Sequence, residues 1–304
     1  MFDIRKVTEI FCICDDFSKE FDATVLKKSI DAPKYRGCGK RKSKFTDAEI
    51  MTVLILFHTN TYRNFKHYYL AHIKNIMKKE FPNAPSYARF VSLSKRVAIK
   101  MMFFIKLGLV GTCTGISFID STCMPVCHNK RIYRNKVFRG LAERGKSTMG
   151  WYFGFKLHLL CNERGEILNF MFTKANVDDR NELVFKEFEK DLFGKLYADK
   201  GYISQSLFQT LWNNDIHLVT GIRANMKNKL MPLMDKIMLR KRSVIETIND
   251  ILKNVAQLVH SRHRSIDGFV LNALSALSAY CFFEKKPSIN VDFETDKNAV
   301  SLFN

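Results

Sequence analysis

GISFIDSTC at residues 115–123, followed after a basic interval by GWYFGFKLHLLCNERGEILNFMFT at residues 150–173, sets the fold class of this 304-residue chain. Apolar and β-branched residues crowd the runs 116–123, 151–161 and 167–173, and the last two are parted by the turn Asn162-Glu163-Arg164-Gly165. Short runs of that composition, bounded by turn residues, are strands, and three in succession predict an antiparallel meander. Beyond residue 174 the period lengthens. Asp179-Arg180-Asn181-Glu182 has the spacing of a capping box and predicts a helix to about residue 190. A strand is expected at 195–198, a helix at 204–213 and a strand at 216–221. A final amphipathic helix is expected over about 241–259, where Val244, Ile248, Ile251, Val255 and Leu258 recur every three or four residues.

The resulting order, βββαβαβα, predicts an α/β domain with a mixed central sheet and helices on both faces, which is the plan of the ribonuclease H-like fold. Residues 1–110 have a different texture. The turn-rich basic stretch from Pro33 to Lys44 leads into Thr46-Asp47-Ala48-Glu49, a capping box ahead of the apolar run 50–57. Further helices fit residues 62–80 and 86–107, with FPNAPS as connector, so this part reads as all helical. The chain thus divides into a helical DNA-binding domain of the helix-turn-helix kind (1–110), a catalytic domain (111–284) and a polar tail (285–304).

Charge narrows the function. Against 30 acidic residues stand 49 Lys and Arg, a net +19, of which residues 1–110 carry +11. A surface of that sign suits a polyanion, and nucleic acid is the leading candidate. No apolar run is long enough to span a bilayer, and MFDIRKVTEI lacks the form of an export signal. Eight scattered cysteines are expected to be reduced thiols in a cytoplasmic protein. Cys123, Cys127 and His128 have no second ligand pair at finger-like spacing and are not read as a zinc site.

Three carboxylates have the placement that phosphodiester chemistry needs. Asp120 is expected to close the first strand and Asp199 to end the fourth, and Glu246 lies on the last helix, about 200° around from Val244, on a face shared with Arg242, Asn249 and Lys253. If the first and fourth strands are neighbours, the two Asp side chains lie together. Two Mg²⁺ ions can activate a water or a 3′-hydroxyl on one side of a phosphodiester and stabilise the leaving oxygen on the other, and hard oxygen ligands such as carboxylates hold them. The bland alternative makes Asp120 and Asp199 turn or cap residues and Glu246 an i,i+4 partner of Arg242. Asp178 and Asp179, the rival acids, are read as structural, with Asp179 in the capping box.

FIDST around Asp120, GFKLHL at 154–159, ANVDDRNE at 175–182, YADKGYIS around Asp199 and Arg242-x3-Glu246-x6-Lys253 together resemble the DDE transposases of bacterial insertion sequences. The insertion-sequence family numbered 982 is the nearest match. YRNFKHYYL, PSYARFVSL and SRHRSIDGFVLNALSALSAYCFF resemble it too, so the likeness runs from about Phe45 to Pro287. It implies a ribonuclease H-like catalytic domain, Mg²⁺-dependent cleavage at the element's ends with Mn²⁺ able to substitute, and strand transfer into target DNA. By motif it assigns the metal-binding triad to Asp120, Asp199 and Glu246. It implies binding to terminal inverted repeats and target DNA, a homodimer on paired ends, and a bacterial, nucleoid-associated location. Where the wider superfamily has a Tyr three residues before the Arg, this chain has Leu239. The same chemistry would serve a structure-specific nuclease, and a decayed element would leave a DNA-binding protein without catalysis.

DNA contacts are expected from Arg242 and Lys253 on the last helix, Lys156 and His158 on the second strand, and Arg89 and Arg96 on a recognition helix starting at Ser86. Two basic runs flank the acids. Residues 130–156 hold eight Lys or Arg against Glu143, and residues 223–242 hold seven against Asp235. Both are read as loops that cradle the DNA backbone and neutralise its phosphates.

Overall fold

Alternation along the strands gives the sheet two distinct cores. In the computed structural model, which describes residues 3–28, 43–148, 150–227, 230–259 and 263–289, the sheet is built from β1 (Ile116–Cys127), β2 (Glu143–Ser147), β3 (Gly150–Asn162), β4 (Ile167–Lys174), β5 (Gly194–Ala198) and β6 (Ile216–Thr220). β1 is antiparallel to β3 and parallel to β5, which is parallel to β6. β2 and β4 share the other edge of β3, β2 along residues 150–154 and β4 along 155–161. Phe118, Leu157, Leu159, Tyr197 and Val219 point to one face. Ile119, Leu160, Leu196, Ala198 and Leu218 point to the other, where α6 (Glu182–Phe188) and α7 (Gln205–Trp212) cover them with Val184, Phe185, Phe188, Leu207 and Leu211.

The first face is covered by helices from both ends of the chain. α8 (Leu233–Lys241) leads into α9 (Ser243–Asp250), extended by a π turn over Ile251–Val255, and α10 (Ile266–Cys281) follows. The N-terminal helices are α1 (Ile4–Lys28), α2 (Asp47–Phe57), α3 (Phe65–Tyr68) with a π continuation Tyr69–Ile76, α4 (Tyr87–Ser94), and α5 (Ala98–Phe104) with its own π turn Ile105–Leu109. Both bonds of the Thr46 capping box form: Glu49 N–H donates to Thr46 Oγ1 at 3.1 Å, and Thr46 N–H donates to Glu49 Oε2 at 2.7 Å. α2 is buried on all sides, as is most of α10, and the two pack on each other. A helix apolar all round belongs in a core. Ile50, Phe57, Phe104 and Leu277 accordingly join Phe118 and Tyr197 in one continuous cluster.

The observed element order is longer than the expected βββαβαβα. The basic interval read as a loop holds a 3₁₀ turn (Asn129–Arg134) and strand β2, while the second basic run holds α8. α10 follows the helix expected to be last. β2 is not predicted by pattern because Arg144, Gly145 and Lys146 give it no apolar alternation. β1 runs past Cys123 to Cys127, with a register shift between Pro125 and Cys127, a bulge being where a strand tolerates proline. Asn181, not Asp179, caps α6, accepting from Leu183 N–H at 2.9 Å. Gly165 turns the β3–β4 hairpin at φ 73°, and Pro287 packs on it while Ile289 N–H donates to Glu163 O at 2.7 Å. Residues 285–289 of the expected tail therefore lie on this turn. Residues 290–304, and the basic stretch up to residue 42, fall outside the described residues.

Candidate active site

A stacked pair of rings positions two carboxylates. Phe118 and Tyr197 are register partners on the parallel strands β1 and β5, and their rings stack at 5.5 Å with a 28° interplanar angle. Side chains repeat on a face every second residue, so Asp120 and Asp199, each two residues on, leave the same face of neighbouring strands. β5 ends at Ala198 while β1 continues to Cys127, so Asp120 does not close its strand as expected but lies within it, just past the last pairing of β1 with β5, because the strand goes on pairing with β3. Asp199 is exposed and caps the turn that follows it, accepting from Lys200 N–H at 2.7 Å.

Helix α9 brings a polar row over Asp120. Positions 242, 246, 249 and 253 fall on one helix face by their spacing. Asn249 is buried and donates through Nδ2 to Asp120 Oδ2 at 3.0 Å. Arg242, whose side chain is 16% exposed, reaches both acids: its Nη1 is 3.8 Å from Asp120 Oδ1, and its Nη2 donates to Glu246 Oε1 at 2.5 Å. Glu246 is 55% exposed. The face opposite the apolar stripe is thus not simply solvated, because Arg242 and Asn249 are turned onto β1. The i,i+4 pair of the bland reading does form, and it forms beside Asp120.

Burial dominates the electrostatics of Asp120, whose side chain is 24% exposed, and pushes its carboxyl up to about 6. The Arg242 charge and the Ser121 backbone N–H oppose the shift, the Glu246 charge adds to it, and Asn249 opposes it as well. Removing a carboxylate from water disfavours its charged form unless a cation or donors compensate, and here compensation is incomplete. Nor is the row fully satisfied: Asn249 Oδ1 and Arg242 Nη1 are buried without a hydrogen-bond partner. Among the described residues, no three His, Cys, Asp or Glu side chains are gathered into a metal cage. Asp120 and Glu246 are brought together by Arg242, while the Asp199 carboxylate is engaged with its own turn.

The other expected contacts are dispersed. Lys156 donates to Asp179 Oδ1 at 2.9 Å and to Val177 O at 2.8 Å, which fixes the segment after β4 and takes Asp179 away from capping duty. His158 has no exposed surface, so it offers nothing to a phosphate; its Nε2 lies 2.8 Å from Thr173 Oγ1, and burial lowers the imidazole to about 4. Asp178 holds its neighbour Arg180. Arg96 is tied to Asp47 and to Phe45 O, whereas Arg89 is exposed near the start of α4, where Ser86 is the cap. Lys253 lines a 640 Å³ groove with Arg63 and Thr59. Leu239 packs against the core. Asn249 is the one member of the row without a role assigned from the residue pattern, although its spacing from Arg242 and Glu246 places it on their face.

Residues 110–266 match a protein-family model described as "Transposase DDE domain". No curated protein matches the chain. Among solved structures, the piggyBac transposase synaptic complex with hairpin DNA aligns at 9% identity over 92% of this chain and 72% of that one, with a TM-score of 0.43. The Mos1 strand transfer complex aligns at 10% identity over 85% and 82%, with a TM-score of 0.24.

Proposed function

The chain belongs to the family of transposase DDE domains, and from that premise we propose that it cuts DNA at the ends of a bacterial insertion sequence of the family numbered 982 and joins the freed 3′ ends to target DNA. The observation that carries the reading is that Arg242 and Asn249 of α9 both reach Asp120 while Arg242 also holds Glu246; the pairing of Phe118 with Tyr197, each two residues before an acid, supports adding Asp199 to them. In this reading the sheet and its helices are a ribonuclease H-like catalytic domain over residues 111–284, and residues 1–110 grip the terminal repeats.

A divalent cation, Mg²⁺ or Mn²⁺, suits the donors present. They are hard oxygens, Asn249 keeps an unpartnered buried Oδ1 beside Asp120, and the buried Asp120 carboxylate lacks full compensation. Asp120 and Asp199 would hold the ion, joined by Glu246 once its pair with Arg242 opens. When bound, such an ion lowers the pKa of an attacking oxygen and stabilises charge on the phosphate. Asn249 keeps Asp120 Oδ2 oriented. Arg242, released from Glu246, is free to neutralise a DNA phosphate. Lys253 and Arg63 supply positive charge in the groove beyond the helix. A dimer would present two such sites to paired ends.

The test is a cleavage assay on a labelled duplex taken from the DNA flanking the reading frame, run beside a binding assay. Asp120→Asn, Asp199→Asn and Glu246→Gln should bind and fail to cut, by orders of magnitude. Asp178→Asn, which alters only a neighbouring pair with Arg180, should cut normally. A Glu246→Gln protein with full activity would remove Glu246 from the triad.

A further inference from the structure

The hairpin of β2 and β3 carries an aromatic and cationic cluster that the proposed cleavage chemistry leaves without a role. Trp151 is 62% exposed and Tyr133, in the preceding 3₁₀ turn, is 80% exposed. Exposed rings are common singly, but rings grouped with cations mark a candidate interaction site. Each has a cation at hand. Lys146 Nζ lies 6.0 Å from the Trp151 ring centroid, and the Arg144 guanidinium lies 5.6 Å from that of Tyr133, with Nη2 donating to the phenol oxygen at 3.3 Å. Lys146 and Trp151 are cross-strand partners, so their side chains share a face. Between Arg144 and Trp151 opens a cavity of 460 Å³ walled by Ile132 and Tyr152, a volume that holds small planar ligands. Asn129 Nδ2 donates to Trp151 O at 2.6 Å and fixes the backbone that carries the indole.

We propose that this hairpin is a stacking site for an unpaired base of DNA, with Trp151 as the platform, Arg144 as the opposite wall, and Lys146 meeting the phosphate of the stacked nucleotide. The inference rests on the reading of the chain as a DNA-processing protein. An occupant must offer a flat apolar face to the indole and negative charge to a surround of eight Lys or Arg with a single acid, Glu143. Unpaired DNA has both, and aromatic platforms with adjacent cations are how proteins hold it. The Lys146 ammonium stands over the indole at 6.0 Å, the outer limit of a cation–π contact, and a stacking base takes that place as Lys146 turns to its phosphate. Trp151 lies eight residues along β3 from Leu159, the partner of Asp120, which is roughly 26 Å at about 3.3 Å per residue. The base held here is therefore not the one at the cut.

The chain has two tryptophans, Trp151 and Trp212, so Trp212→Phe leaves Trp151 as the only indole. In that full-length background, without divalent ions, three labelled DNAs of one sequence are titrated: a fully paired duplex, the same duplex with a short unpaired stretch, and the single strand. Anisotropy and indole emission are read together. The proposal expects Trp151 emission to be quenched by the two DNAs with unpaired bases. It expects Trp151→Ala to weaken their binding roughly 5- to 100-fold while leaving the paired duplex nearly unchanged, and Trp151→Phe to retain most of the affinity. Unaltered emission at saturation, or an equal loss on all three DNAs, overturns the stacking site while leaving DNA binding intact. Failure of the parent protein to bind any of the three overturns the DNA-processing reading with it.

Discussion

Replacing Asp120 by Asn should make the protein more stable at neutral pH, and the structure gives the size of the gain. Burial raises this carboxyl from 3.8 to about 6. A carboxyl whose folded pKa is raised holds its proton more tightly in the native state, so its contribution to stability is present at low pH and is lost as pH rises between those two values. A shift of about 2 units is worth about 3 kcal/mol, a cost present in full above pH 6 and reduced to about 1 kcal/mol at pH 4.5. Asp120→Asn escapes it, keeps an acceptor for Asn249 Nδ2, and gives up only the 3.8 Å approach of Arg242. The net gain at pH 7.5 is about 1–3 kcal/mol, a rise of several degrees in melting temperature. The assay is urea and thermal unfolding of both proteins at pH 7.5 and 4.5 in chelator. The difference between the two proteins, rather than the wild-type profile, isolates Asp120, because His158 titrates with the opposite effect. An Asp120→Asn variant no more stable than wild type at pH 7.5, or a gap that does not narrow at pH 4.5, refutes the argument. Mn²⁺ should then raise the melting temperature of the wild type and not of the variant.

Three further outcomes are expected. Asn249→Ala removes a hydrogen bond to a charged group and should cost about 1–3 kcal/mol in urea unfolding at pH 7.5, with a weaker response of melting temperature to Mn²⁺. His158, held neutral by burial with its imidazole lowered to about 4, should show carbon-bound proton shifts by NMR that stay constant down to about pH 5. Its contribution to stability is complete above pH 6.5 and is lost as pH falls toward 4. Thr46→Ala removes the hydroxyl that accepts from Glu49 N–H, leaving the backbone Thr46 N–H bonded to Glu49, and should lower stability by about 1 kcal/mol, while Thr46→Ser should cost a fraction of that.

Where local chemistry decides, the residues are legible. Phe118 and Ile119 face opposite cores as their alternation requires, and the Thr46–Glu49 spacing forms the box it spells. The identical spacing at Asp179–Glu182 does not, because Lys156 on β3 takes the Asp179 carboxylate and leaves the cap to Asn181. No inspection of residues 178–182 alone would show that competitor. β2 is hidden because its cationic side chains carry no apolar alternation. Asp120 and Asp199 stand out as acids that follow apolar strand residues, yet Asp120 lies within β1, and its burial under Arg242 and Asn249 depends on how α9 crosses the sheet. Sequence period gives the face of a helix, not its partner.

The packing of α10 on α2 and α5 bears on the order in which this protein can be made. Helix α5 ends at residue 104 and α10 at residue 281; α1 and α4 pack on α2 early, but the faces of α2 and α5 that α10 covers close only against that late helix. At roughly 5–20 residues per second, a ribosome needs on the order of 10–35 s to produce the intervening chain. For that interval the faces of α2 and α5 turned toward α10 have no mate, although α1 already packs on both. Synthesis that stalls before residue 266 therefore releases a chain with open apolar surface, suited to chaperone capture or aggregation rather than to independent work.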